Sequence, residues 1–116
     1  EVDYLNESIK FCKEELEQIE EEQNNLIAEF DRNKIELRSQ FQEENIRVER
    51  ESIEGLLDDS LENELQNNRD WLAEELSTSS SIFKEDKSEL TARRRQCEES
   101  LIRYKEKLNE MERDLN

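Results

Sequence analysis

The sequence predicts an all-α chain, a long coiled coil with antiparallel helix pairing favoured and a parallel dimer as the runner-up. Three observations lead there. Apolar residues recur at alternating steps of four and three, and such a 3.5-residue period, held over many turns, keeps one stripe of a helix against its neighbour. Charged residues make up 43% of the 116 and apolar ones only 32%, too little for one compact core but enough for a narrow seam. Proline is absent and Gly55 is the lone glycine, so the turn formers that short-stranded folds require are missing.

The first helical segment is read over 1–54. Its seam runs Leu5, Ile9, Cys12, Leu16, Ile19, Gln23, Leu26, Phe30, Asn33, Leu37, bordered by Glu15, Glu22, Glu29, Glu36 and Glu43. Residues 55–60 are read as a turn or helix discontinuity. Gly55 suits a helix C-cap, and Asp58, Asp59 and Ser60 are N-cap types, with Glu62 placed three residues after Asp59 as in a capping box. The adjacent Leu56 and Leu57 argue instead for a glycine tolerated inside one continuous helix. The second segment, 61–116, carries the series Ala73, Leu76, Ser80, Phe83, Lys87, Leu90, Arg94, Cys97, Leu101, Tyr104, Leu108, Met111, Leu115. It is weakest between Ser77 and Arg95, and the cluster Ser77–Ser81 is a second candidate break. From Phe41 to Leu72 no single frame carries across, and the two halves differ by one residue in phase.

Seam chemistry selects the direction of pairing. In a parallel, in-register dimer Lys87 and Arg94 would each face their own copy, which like charges disfavour. One antiparallel register pairs Leu5 with Leu108, Ile9 with Tyr104, Cys12 with Leu101, Leu16 with Cys97, Phe30 with Phe83, Leu37 with Leu76 and Val48 with Leu65. It also sets Asn33 against Ser80, Glu44 against Arg69, Leu26 against Lys87 and Ile19 against Arg94. At the seam borders it brings Lys13 near Glu98 and Glu22 near Arg93 but also Glu29 near Asp86, so the borders favour neither direction. A hairpin within one chain and an antiparallel homodimer both satisfy this register, because both bring the same residues together.

Little in the sequence can do chemistry. Histidine is absent, no Cys-x-x-Cys occurs, and one glycine cannot build a phosphate loop. The chain is therefore read as no enzyme, with no cofactor or metal site; runs such as Glu20–Glu22 read as solvated helix faces. A net charge of -16 disfavours nucleic acid and anionic membrane as partners, and no apolar run is long enough to span a bilayer. Cys12 and Cys97 are read as reduced thiols of an intracellular, cytoplasmic protein, and Glu1 as the start of a segment cut from a larger one. The expected partner is a second copy or another coiled-coil protein. Trp71 either packs on an interhelical flank or anchors a partner protein, and Arg93, Arg94 and Arg95, the only basic run, suit an acidic helix of a partner.

At Ser88-Glu89-Leu90-Thr91-Ala92-Arg93-Arg94-Arg95-Gln96-Cys97-Glu98-Glu99 the sequence resembles the muscle-type myosin rod, and its phase skip is similar to the skip residues of that family. The resemblance implies a rod-type protein of the cytoskeletal or chromosome-organising kind. The function expected is a scaffold segment that dimerises and spaces other domains. The alternatives are an adaptor surface at Trp71 and Arg93–Arg95, or the hairpin arm of a larger ATPase.

Overall fold

The computed structural model describes residues 1–115 and is all-helical among them, with no strand. It has two helices, α1 (Val2–Ile53) and α2 (Leu61–Leu115), of 52 and 55 residues. Neither contains proline, so no backbone donor is lost along their length. The cluster Ser77–Ser81 lies inside α2 without interruption; serine is a weak helix former, and here Ser79 and Ser80 turn inward and are half-buried.

Local chemistry ends α1 and starts α2. Gly55 takes φ +73°, a left-handed conformation in which a Cβ would crowd the following carbonyl. That conformation lets the Gly55 N–H reach the Ser52 carbonyl at 3.2 Å and the Leu56 N–H reach that of Glu51 at 2.8 Å. These two bonds are the paired contacts of a Schellman end, which satisfy carbonyls the helix leaves free. Ser60 then caps α2: its Oγ accepts the Asn63 N–H at 3.2 Å, and its carbonyl accepts the Glu64 N–H at 3.1 Å. Asp59 supports the cap from outside, accepting the Ser60 N–H at 2.7 Å and the Asn63 side-chain amide at 3.1 Å. The capping residue is thus Ser60, and the spacing of Asp59 with Glu62 forms no box, because Asp59 lies one residue outside the helix.

The chain divides into two compact units, Glu1–Leu26 with Glu85–Asn116, and Ile27–Lys84. In the first, Leu5, Cys12 and Ile19 are buried, at 3%, 6% and 0% exposure. They stand seven residues apart, so α1 sets one residue per two turns fully inward. In the second, the buried residues are Leu37 and Val48, eleven apart. Half-buried Phe41 and Asn45 lie between them, one residue later than a strict heptad from Leu37 requires. An eleven-residue step is close to three turns of an unstrained helix, which is why no seven-residue frame crosses this region.

Contacts in the Ile27–Lys84 unit descend along α2 as they ascend along α1. The rings of Phe30 and Phe83 stack with centroids 4.3 Å apart and planes within 10°. Asn33 Nδ2 donates to Ser79 Oγ at 2.8 Å, and Asn68 Nδ2 to Asn45 Oδ1 at 3.0 Å. The asparagine of α1 thus meets Ser79, one position from the expected Ser80. Glu44 does not face Arg69. Arg47, one turn ahead on the same helix, binds Glu44 and also Glu51 (2.6 Å), while Arg69 donates to Gln66 at 2.7 Å. Residues three and four apart on a helix are already neighbours, so the local pairs need less ordering.

Two outcomes are expected from the turn. Gly55→Ala lowers unfolding stability by about 1–2 kcal/mol, the cost of a left-handed non-glycine residue, and Ser60→Ala by about 1 kcal/mol, both read from denaturant midpoints. The hydrogen bond from Ser60, helped by that from Asn63, holds the Asp59 carboxyl below its ordinary range. Its support of the cap is therefore complete above the ordinary aspartate range and fades as pH falls through the lowered value. An NMR titration of the Ser60 amide should place its midpoint below that of an unperturbed aspartate; a midpoint at or above that value contradicts the cap.

Candidate functional site

The α1–α2 face is where the side chains read as a pairing seam come together. On α1, Leu5, Cys12, Ile19 and Leu37 are buried, and Ile9, Leu16, Leu26 and Phe30 are half-buried. On α2, Leu76, Phe83, Leu90, Cys97, Leu101, Tyr104, Leu108 and Met111 are all half-buried, and no residue of α2 is fully buried. The asymmetry follows from the polar positions of α2. Asn68, Ser80 and Arg94 sit inward among the apolar ones, and their polar ends keep solvent close.

Three positions of the α2 series do not turn inward. Ala73 is exposed and its neighbour Leu72 is half-buried instead; the larger apolar side chain gains more from leaving water. Lys87 is exposed, while Asp86 is half-buried. Leu115 is 78% exposed. Besides Leu72, Ser79 and Asp86, the inward positions Phe41, Asn45 and Asn68 lay outside the heptad frame read from the sequence. A signal for them existed: stepping four instead of three after Leu37 reaches Phe41, then Asn45 and Val48.

The basic run is spent within the chain. Arg93 donates to Glu22 at 2.8 Å and to Glu15 at 3.1 Å, bridging two glutamates of α1 that lie two turns apart. Its hydrogen bonds to both carboxylates, with their negative charge, hold the guanidinium more firmly protonated than usual. Arg94 is half-buried with Nε 3.7 Å from Glu98, its aliphatic stem inward and its charge at the edge. Arg95 is exposed. Of the three, only Arg95 has no ion pair among the described residues.

Trp71 is 38% exposed and lines a recess of about 420 Å³ with Gln40, Phe41, Glu44 and Asn68. Its indole therefore stands on the flank of the interhelical face, next to the Asn45–Asn68 hydrogen bond. A second groove, of about 620 Å³, is lined by Tyr4, Phe11, Cys12, Glu15, Arg93 and Cys97 among others. Tyr4 and Phe11 are 64% and 65% exposed at its rim. Among the described residues no group of three or more His, Cys, Asp or Glu side chains is placed to hold a metal ion, and no helix is long and apolar enough to cross a membrane.

The sequence matches no protein-family model, and no curated protein or solved structure is significantly similar to it.

Packing and charge contribute differently here. Phe83→Ala is expected to lower stability by about 2–3 kcal/mol, below the usual cost of deleting a fully buried aromatic because the ring is half-buried. Arg93→Ala should cost clearly less than that, since exposed ion pairs are screened. Urea denaturation of the two variants checks the ranking, and a larger loss for Arg93→Ala contradicts it.

Proposed function

We propose that the chain is a structural coiled-coil module, an antiparallel helical hairpin that joins and spaces other parts of a larger protein. One observation carries this reading: the stack of Phe30 on Phe83, flanked by the Asn33–Ser79 and Asn45–Asn68 hydrogen bonds. Aromatic stacking rewards one alignment of two helices, and the part-buried Asn45–Asn68 pair restricts register at some cost in stability. Such a face suits holding two helices in a fixed register. An antiparallel homodimer of continuous helices would bring the same residues together. The Schellman end at Gly55 and the cap at Ser60 favour the hairpin, because they satisfy a chain that stops one helix and begins another. As the arm of a larger enzyme, the segment would leave catalysis to other domains.

The adaptor reading rests on Trp71, whose partly exposed indole beside Phe41 offers an aromatic anchor to a partner helix. The arginine run adds little to it, since Arg93 already holds two glutamates.

Sedimentation equilibrium over a wide concentration range separates hairpin from dimer. The hairpin predicts the monomer mass of 14.0 kDa throughout; a doubled mass that dissociates on dilution overturns it in favour of self-association. Trp71→Ala should leave that mass and the helical content unchanged. Loss of a partner captured by the wild-type chain would move the account toward the adaptor.

A further inference from the structure

The only two cysteines of the chain, Cys12 and Cys97, are free thiols on opposite helices that line one groove in the unit formed by Glu1–Leu26 and Glu85–Asn116. Cys12 is buried beneath the groove and Cys97 is half-buried at its wall. The residues around them are small where it matters: Ser8 on α1 and Ser100 on α2, each one turn from a cysteine, are both half-buried and line the same groove. Small side chains at a contact let helix axes approach toward the short end of the usual 8–10 Å, which two thiols need in order to meet. Both cysteines thus border the same groove from opposite helices.

We propose that Cys12 and Cys97 form a redox-reactive pair, joined on oxidation by an intrachain disulfide that staples α1 to α2. The oxidant is a low-molecular-weight disulfide. The Cys97 thiolate, the more accessible of the two, attacks one sulfur of that disulfide, forming a mixed disulfide and releasing one small thiolate, which takes up a proton. The Cys12 thiolate then attacks Cys97 Sγ, the protein S–S bond forms, and the second small thiol leaves. Two protein thiols are oxidised and one small disulfide is reduced to two thiols, so electrons and protons balance.

The groove also sets the pace of the reaction. Burial, with the negative charge of Glu15 and of Cys12, pushes the Cys97 thiol above its ordinary value, and Arg93 opposes this only in part. The thiolate is the reactive form. Cys97 is therefore sluggish near neutrality and reacts faster as pH rises. The closed loop would contain most of the chain, the case in which a cross-link most restricts the unfolded state.

The inference rests on the hairpin reading, and the test keeps the two apart. The full chain is treated with oxidised glutathione at mildly alkaline pH, quenched with an alkylating agent, and analysed by intact mass and by peptide mapping. The expected result is loss of both alkylatable thiols, an intact mass lower by two hydrogens, a Cys12–Cys97 linked peptide and a higher melting temperature. Cys12→Ser and Cys97→Ser should each retain no internal bridge and show no such rise. Two thiols persisting, or stable glutathione adducts at both, in a chain that sediments as a monomer overturns the staple and leaves the hairpin standing. A Cys12–Cys97 bridge found only between two chains, in material that sediments as a dimer before oxidation, overturns both.

Discussion

Removal of one apolar stripe of α1 from water against α2 is the interaction on which the rest of the structure depends. Among the described residues every buried side chain belongs to α1: Leu5, Cys12, Ile19, Leu37 and Val48. Burying an aliphatic side chain of this size is worth about 1.5–3 kcal/mol, while isolated helices gain little beyond their own nucleation cost. Both helices carry a large excess of polar surface, so without that stripe neither has a reason to hold its length. With α2 contributing only half-buried residues, the face is thin and leans on few side chains, the stacked rings of Phe30 and Phe83 among them.

Charge works around this face more than in it. The acidic run from Glu14 to Glu22 holds six carboxylates and no cation, a stretch that repels itself in water. Arg93 from the other helix sits between Glu15 and Glu22 and relieves part of that repulsion at the level where the two helices meet. Lys34 does a similar service elsewhere on α1, resting 4.4 Å over the Phe30 ring and 3.4 Å from Asp31. These contacts are exposed and screened, so they tune which surfaces approach while adding little to the strength of the pairing.

The helical class was open to reading because the step pattern, the missing proline and the charge content all point to it independently. The α1 stripe could be read at Leu5, Cys12, Ile19 and Leu37, apolar at the expected intervals, while Asn33 in the same series stays exposed. What the sequence did not disclose has specific physical causes. Past Leu37 the inward positions follow an eleven-residue step, so a heptad frame loses Phe41, Asn45 and their partner Asn68. On α2 several inward places are polar, and a pattern of apolar residues cannot choose between Leu72 and Ala73 or between Asp86 and Lys87 once neighbours decide. The antiparallel register already set Glu22 near Arg93; what it missed is Glu15, two turns earlier on α1, which the same guanidinium also reaches. That Cys12 and Cys97 share one groove was hidden too, because the register sets each opposite a leucine.

Pairing of the two helices within one molecule is the central claim, and a pulsed electron–electron distance measurement tests it most directly. Spin labels would replace Arg32 and Ser81, both exposed and both in the Ile27–Lys84 unit, in a chain whose native cysteines are serine. Doubly labelled protein would be mixed with a large excess of unlabelled chain to remove distances between molecules. Helix axes about 8–10 Å apart predict a narrow distribution centred within about 20–30 Å, unchanged by that dilution. A short distance that disappears on dilution, or its absence from the start, would contradict the account.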